Sequence, residues 1–278
     1  MIHLAFSTNA FKKHTLDEAI TAIAQAGYGG VELMADVPHC YPATFSTADR
    51  LRLRDRLDEL DLMVSNINAF TLFAQGDTYH PTWIEDDAAL RQARIEHTIA
   101  AIELAAEFEA GTVSLQPGGP LIGTTLTRAA ASERFAEGLN QVLPSARKHQ
   151  IVLAIEPEPG LLIQTSEEYL AFKNQFFAKE DAIRMNCDLG HLFCVGEDPA
   201  GVMVRMPEQI AHIHLEDIDS NRVHQHLAPG SGAMDFRSIF RSLNDVGYKG
   251  WVTVELYPYE TTAAAVTKTA HAFLKRLI

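Results

Sequence analysis

The sequence predicts an α/β fold, a single-domain (β/α)8 TIM barrel over residues 1–278, and three observations predict it. Short apolar runs alternate eight times with longer stretches of helical apolar spacing, the pattern of a parallel sheet wrapped by helices. The inward-facing residue at the C-terminal end of every run is polar. The length of 278 residues suits one barrel of roughly 250 residues with two long connections.

The first run, 2–7, is followed by a helix with Leu16, Ile20, Ile23 and Ala24 on its apolar face and Thr15 at its N-cap. Gly27 and Gly29 end that helix and introduce the second run, 29–34. Ser46 and Thr47 sit where the next helix should be capped, ahead of the third run, 62–68. Ile99, Ile102, Leu104 and Ala105 mark the helix that Gly111 closes before the fourth run, 111–116. Runs 151–156, 183–188 and 210–215 come next, with Ser166 as the expected cap of the helix between the first two of them. Gly247 and Gly250 lead into the last run, 250–256. No Pro/Gly/Ser-rich linker divides the chain.

Two connections exceed what a barrel requires, from Phe70 to about Asp87 and from about Asp217 to Met234. Both follow strands and so belong at the C-terminal mouth, where long loops carry function. The aromatics of the first are expected either to form a lid or to hook onto a neighbouring helix or subunit. A hook onto a subunit would make the protein a homo-oligomer.

Barrel strands point alternate side chains inward and outward. The outward set is apolar: Leu4 and Phe6, Val31 and Leu33, Val113 and Leu115, Leu153 and Ile155, Met185 and Cys187, Ile213 and Leu215, Val252 and Val254. The inward strand ends are Ser7, Glu32, Asn68, Gln116, Glu156, Asp188, His214 and Glu255, and among them Asn68 and Gln116 are expected to contact the substrate. The layer beneath them is also small or polar, where a purely structural barrel would place branched aliphatics. Acids converging on one mouth repel one another unless a cation neutralises them. Glu156, Asp188, His214 and Glu255 make a mixed oxygen and nitrogen donor set suited to one divalent metal, Mn²⁺, Mg²⁺, Co²⁺ or Zn²⁺. Glu32, a lone acid, is expected either in the pocket or in a salt bridge at the rim.

Composition narrows the partners. A formal charge of −13 disfavours binding to nucleic-acid backbones. With 47% hydrophobic residues the chain can bury a sizeable core. Apolar runs fall short of a membrane span, and the first residues read into a strand rather than a leader. Three cysteines without CxxC spacing fit a reducing cytoplasm. The glycine-rich loops carry no Walker or dinucleotide pattern, so no nucleotide cofactor is expected.

Several segments together resemble the xylose isomerase-like TIM-barrel superfamily, which groups sugar-phosphate isomerases and epimerases, ketose 3-epimerases, inosose dehydratases, hydroxypyruvate isomerases and endonuclease IV. They are Gly27-Tyr28-Gly29-Gly30-Val31-Glu32-Leu33, Ala154-Ile155-Glu156-Pro157, Asn186-Cys187-Asp188-Leu189-Gly190-His191, Ile210 to Asp217, and Val252-Thr253-Val254-Glu255. The resemblance implies one divalent metal on Glu156, Asp188, His214 and Glu255. It also implies proton exchange with a substrate carbon by Glu156 and Glu255, and a contact from His191 to a substrate oxygen. A metal acting as a Lewis acid on an α-hydroxy carbonyl would stabilise an enediolate. One glutamate would take the carbon-bound proton and the other return it. Epimerisation, isomerisation and dehydration share that first step.

Other readings stay open at this point. Endonuclease IV, a three-zinc phosphodiesterase, has histidines where this sequence has Asn68 and Gln116, and an Asp-x-His where it has His224-Gln225-His226. A barrel that binds without catalysis is the non-enzymatic alternative. His224 and His226 are expected either to meet substrate or a second metal, or to sit in solvent. Arg222 is the basic residue expected near the mouth for a phosphate or carboxylate. The ketose 3-epimerase pattern has its arginine closer to the seventh strand, where this sequence has Ser220. The expected ligand is a small sugar or polyol, with no nucleic acid and no membrane. Cys187 and Trp251 are expected in the core and at the barrel bottom. Glu158 and Glu216 are expected to back the site or to be solvated.

Overall fold

The protein is described from a computed structural model over residues 2–278. Eight parallel strands close in sequence order: β1 (His3–Ser7), β2 (Gly30–Met34), β3 (Met63–Asn68), β4 (Thr112–Leu115), β5 (Val152–Ile155), β6 (Ile183–Asp188), β7 (Ile210–Leu215) and β8 (Trp251–Val254). β8 pairs with β1 through Leu4 opposite Val252 and Ala5 opposite Thr253, so the sheet has no edge. Around it lie α1 (Leu16–Ala26), α2 (Thr47–Glu59), α3 (Ala88–Glu107), α4 (Arg128–His149), α5 (Ser166–Phe176), α6 (Leu189–Cys194), α7 (Pro199–Arg205), α8 (Phe236–Asp245) and α9 (Ala263–Leu274). No helix among the described residues is long and apolar enough to cross a membrane.

The core is the shell between barrel and helices. Phe6, Val31, Leu33, Leu115, Ile155, Met185, Ile213 and Val254 are all completely buried there. Each such side chain contributes roughly 1.5–3 kcal/mol by leaving water. Helix starts follow the sequence closely. Thr15 and Glu18 form a reciprocal capping box at α1, as Ser46 and Asp49 do at α2. One expected cap moves by a residue: Thr165 caps α5, and Ser166 instead binds the Glu197 carboxylate through its amide and hydroxyl. Gly27 ends α1 at φ +100°, a conformation that favours glycine.

Strict alternation fails at two places. Val31 pairs with Val64 and Glu32 with Asn66, so Ser65 is an extra residue in β3, and its hydroxyl lies 3.2 Å from that of Thr253. Met185 pairs with Ile210 and Asn186 with His212, which makes Ala211 the extra residue in β7. Both bulges precede the C-terminal halves of their strands and set which side chains reach the mouth. At the opposite end, Trp251 lies against Gly30, where a Cβ would stand 2.6 Å from the indole, and beside the His3 ring at 5.3 Å.

The two long loops are stapled in place. After β3, buried Arg94 donates to the carbonyls of Ala69, Phe70 and Pro81, while Asp36 accepts from the Thr71 hydroxyl and the amides of Phe73 and Ala74. The aromatics of this loop divide between the two expected roles. Phe70, Phe73 and Tyr79 line the mouth, and Trp83 is buried against Phe135 of α4 at 5.6 Å. After β7, Asp217 accepts from the amides of Ile218, Gly230, Gly232 and Met234 and pairs through its backbone with Leu227.

Candidate metal centre

β5, β6, β7 and β8 deliver Glu156, Asp188, His214 and Glu255 to one point of the mouth. One donor atom from each lies within 4.8 Å of all the others, and all four residues are buried. His214 Nδ1 is 3.4 Å from Glu156 Oε1, 3.7 Å from Glu255 Oε1 and 3.9 Å from Asp188 Oδ2. The rest of each group is held from behind. His214 Nε2 donates to Glu32 Oε2 at 2.7 Å, which leaves Nδ1 as the nitrogen facing the acids. Asn186 donates to Glu156 Oε2 at 2.7 Å. Asp188 Oδ1 caps α6 by accepting from the His191 amide at 2.8 Å, and its Oδ2 is buried with no hydrogen-bond partner. Glu255 Oε1 accepts from Asn9 at 2.8 Å and from Asn68 at 3.1 Å.

Three buried carboxylates, one imidazole and an orphaned carboxylate oxygen fit a hard divalent cation. The electrostatics agree. Burial, added to the repulsion of Glu156, Glu32 and Asp188, pushes Glu255 well above the usual carboxyl range despite the nearby His214. Burial alone would lower His214, but Glu32, Glu255 and Glu156 outweigh it and hold the imidazolium well above 6.5. A divalent charge at their common centre would offset the repulsion among the acids and take the place of the His214 proton.

The mouth opens into a cavity of about 330 Å³, lined by the polar Glu156, Glu158, His191, His224, His226 and Glu255 and by Met34, Phe70, Phe73 and Tyr257. His191 Nδ1 binds the Pro157 carbonyl at 3.1 Å, and its Nε2 is buried without a partner. His226 Nδ1 binds the Glu255 carbonyl at 2.9 Å, and its Nε2 meets His224 Nε2 at 3.3 Å. Burial lowers His226 to about 3 and His224 to about 4, so both are neutral. The solvent-exposed placement expected for this pair is corrected: His226 is buried and His224 half-buried, because the Asp217 staple folds their loop back over the mouth.

Three further expectations change. Glu32 neither lines the cavity nor bridges at the rim; it lies completely buried beneath the centre, where Asn66, Asn68 and His214 all donate to it. Gln116 donates to the Tyr79 carbonyl and so anchors the β3 loop rather than the cavity wall. Arg222 turns away from the mouth, donating to the Phe193 carbonyl at 2.8 Å and stacking 4.3 Å over the Phe193 ring. A left-handed backbone at Arg222, φ 58°, directs it there.

Asn9 and Lys12 reach the mouth although no sequence reading singled them out. Asn9 and Lys12 follow β1 directly, and the only sequence signal for them is that every such loop ends at this face. Glu158 and Glu216 are both buried rather than solvated. Glu158 accepts from the Tyr79 hydroxyl at 2.8 Å, and burial pushes it up to about 7. Glu216 presses on Gly190, where a Cβ would overlap its carboxyl at 1.6 Å, and burial and Asp188 hold it well above the usual range.

The comparisons agree with this architecture. A family model described as xylose isomerase-like TIM barrel matches residues 20–277. The inosose dehydratase of Clostridium perfringens is 24% identical over 261 residues, 88% of this chain and 83% of that protein. Among solved structures, the IOLI protein with a bound zinc atom aligns with a TM-score of 0.80 at 15% identity, covering 99% of this chain and 98% of that one. The D-psicose 3-epimerase of Clostridium cellulolyticum H10, solved with D-tagatose, aligns with a TM-score of 0.80 at 14% identity over 99% of both chains. At such identity the structural matches speak to the fold. With the family model covering nearly the whole chain, the protein belongs to the xylose isomerase-like TIM-barrel family.

Proposed function

We propose that this protein is a divalent-metal-dependent isomerase or epimerase that acts on a sugar, sugar phosphate or related polyol by moving a proton next to a carbonyl. The observation that carries the reading is the meeting of Glu156 and Glu255 at His214 Nδ1, at 3.4 and 3.7 Å, in one cavity with a third acid, Glu158. Mn²⁺, Mg²⁺, Co²⁺ or Zn²⁺ on Glu156, Asp188, His214 and Glu255 would supply Lewis-acid polarisation of the carbonyl oxygen.

The remaining chemistry belongs to the side chains. One of Glu156 and Glu255 removes the carbon-bound proton, and the other returns a proton from the opposite face. Asn9 and Asn68 both donate to Glu255 Oε1, which orients its second oxygen. Asn186 orients Glu156 in the same way. His191 Nε2, buried and unpartnered, is the group for a substrate oxygen. Phe70, Phe73 and Tyr257 line the same cavity and help exclude water from it.

Dehydration is the second reading, favoured by the likeness to inosose dehydratases over 88% of this chain. It begins with the same proton removal and ends with loss of a β-hydroxyl. The test is deuterium incorporation from solvent into a panel of ketoses, inososes and ketose phosphates with Mn²⁺ present. Exchange without net loss of water supports epimerisation or isomerisation, and water loss supports the dehydratase. No exchange into any of them sinks both readings. Glu255→Gln should abolish exchange while metal stays bound, and retained exchange removes Glu255 from the proton-transfer role.

A further inference from the structure

A second set of imidazoles meets in the mouth cavity beside the tetrad. His191, His224 and His226 all line it, and one nitrogen from each lies within 4.8 Å of the other two. Hydrogen bonds behind two of the rings fix which nitrogen is free. His191 Nδ1 lies 3.1 Å from the Pro157 carbonyl, and His226 Nδ1 lies 2.9 Å from the Glu255 carbonyl. A carbonyl oxygen only accepts, so each Nδ1 carries the ring proton and each Nε2 presents a lone pair. His191 Nε2 is buried without a partner, and His226 Nε2 faces His224 Nε2 at 3.3 Å. On the far side of the His224 ring, Nδ1 lies 3.9 Å from Glu158 Oε1, so a carboxylate stands behind this imidazole too.

We propose that His191, His224 and His226 hold a second divalent cation through their Nε2 atoms, so that the mouth carries two adjacent metal sites of different preference. Two nitrogens bound at about 2.0–2.1 Å to a tetrahedral ion stand about 3.3–3.4 Å apart. His224 and His226 already stand at 3.3 Å. Three imidazoles select Zn²⁺ or Co²⁺ over Mg²⁺ and Mn²⁺, whereas the carboxylate-rich tetrad also suits the harder ions. Three protein ligands leave the fourth position open toward the cavity, for water or a substrate oxygen. The proposal goes beyond the reading above and stands on ligand geometry without the proton-transfer chemistry. In the loaded protein the substrate oxygen assigned to His191 meets this cation instead.

Hydrogen bonding among the rings does not account for the arrangement. His224 can donate one Nε2 proton to the lone pair of His226, and that leaves the lone pair of His191 buried with nothing to meet it. The rings are also delivered by separate, fixed elements. His191 belongs to α6, and His224 and His226 sit two positions apart in a loop that pairs with Asp217 through Leu227. Asp188 stands between the two sites: its unpartnered Oδ2 is 3.9 Å from His214 Nδ1 and 3.7 Å from His191 Nε2.

The test is titration of the metal-free protein with Co²⁺ and, separately, with Mn²⁺, for wild type, His224→Ala and His224→Asn, followed by equilibrium dialysis and by the visible absorption of Co²⁺. Wild type should take up two equivalents of Co²⁺, one of them with the intense absorption of a four-coordinate site, and one equivalent of Mn²⁺ over the same range. Both variants should lose that absorption and bind the second Co²⁺ more than about 100-fold more weakly, since removing a ligand costs more than removing a partner behind one. The Mn²⁺ equivalent should remain in both, which also shows that the barrel is intact. A wild type that takes up only one Co²⁺, variants that keep two with affinity within about twofold, or loss of the Mn²⁺ equivalent in both variants would overturn the proposal. Absence of deuterium exchange with every sugar would remove the proton-transfer reading and leave this stoichiometry unaffected.

Discussion

Glu32→Gln isolates what the buried layer beneath the candidate metal centre contributes. Both Glu32 oxygens face N–H donors: Oε2 accepts from His214 Nε2 at 2.7 Å and Asn66 at 2.9 Å, and Oε1 accepts from Asn68 at 3.1 Å. An amide of the same shape must turn its own NH₂ toward one of these sets. Turned toward His214, it forces Nε2 to accept, moves the ring proton to Nδ1 and removes the lone pair that faces the acids. Turned toward Asn68, it opposes the amide that also orients Glu255. Burial opposes the Glu32 charge, but His214 and His212 overcome it and hold the carboxyl well below its usual range, so wild type keeps the anion at neutral pH. Loss of one partner behind a metal-binding imidazole typically costs about 10–100-fold in affinity, or about 1.4–2.7 kcal/mol. Competition against a chelator at neutral pH, with Mn²⁺ and with Zn²⁺, reads this directly. A Glu32→Gln protein that keeps wild-type affinity within about twofold would refute the assignment of Nδ1 as donor and Glu32 as its anchor.

Metal binding should displace a proton, since His214 is held as an imidazolium well above 6.5 and must offer a neutral Nδ1. Affinity should then climb with pH by up to about tenfold per unit until that raised value is passed, and calorimetry in buffers of different ionisation enthalpy counts the proton. Arg94→Met leaves the carbonyls of Ala69, Phe70 and Pro81 unpaired in the interior and should cost about 3–5 kcal/mol, seen as a lower urea midpoint; a change below about 1 kcal/mol would contradict that staple. His97, far from the mouth, is lowered by burial to about 3 from an ordinary 6.5, so between those values the unfolded chain binds the extra proton. Stability is therefore intact above about 6.5 and falls by about 2 kcal/mol on going to pH 5; His97→Met should flatten that part of the profile in urea titrations.

How much of this was written in the chain follows from what each feature depends on. Apolar alternation and the tetrad's position at strand ends are local properties, because a strand's parity fixes which side chains enter the barrel. Leu33, Ile155 and Val254 on the outer face, and Asp188, His214 and Glu255 at the mouth, could be read without coordinates. Parity held in the C-terminal halves of β3 and β7 despite the bulges at Ser65 and Ala211 lower down.

Features that require distant segments to meet were not legible. Asn9 touches Glu255 across 246 positions of sequence, and Glu32 meets His214 across 182. Nothing near Glu32 distinguishes an anchor beneath a metal centre from a pocket acid, and its depth is set by the closure of the barrel. Loop direction depends on the same kind of contact. Arg222 and His226 lie four residues apart, yet the left-handed turn at Arg222 and the Asp217 staple send one onto Phe193 and the other into the mouth. The sequence by itself determined the barrel and the residues whose chemistry meets at its mouth, because side-chain period is a property of each strand alone. Only the tertiary structure decided which nitrogen of His214 faces the acids and which basic side chain reaches the cavity, because those depend on partners that the closed barrel alone brings together.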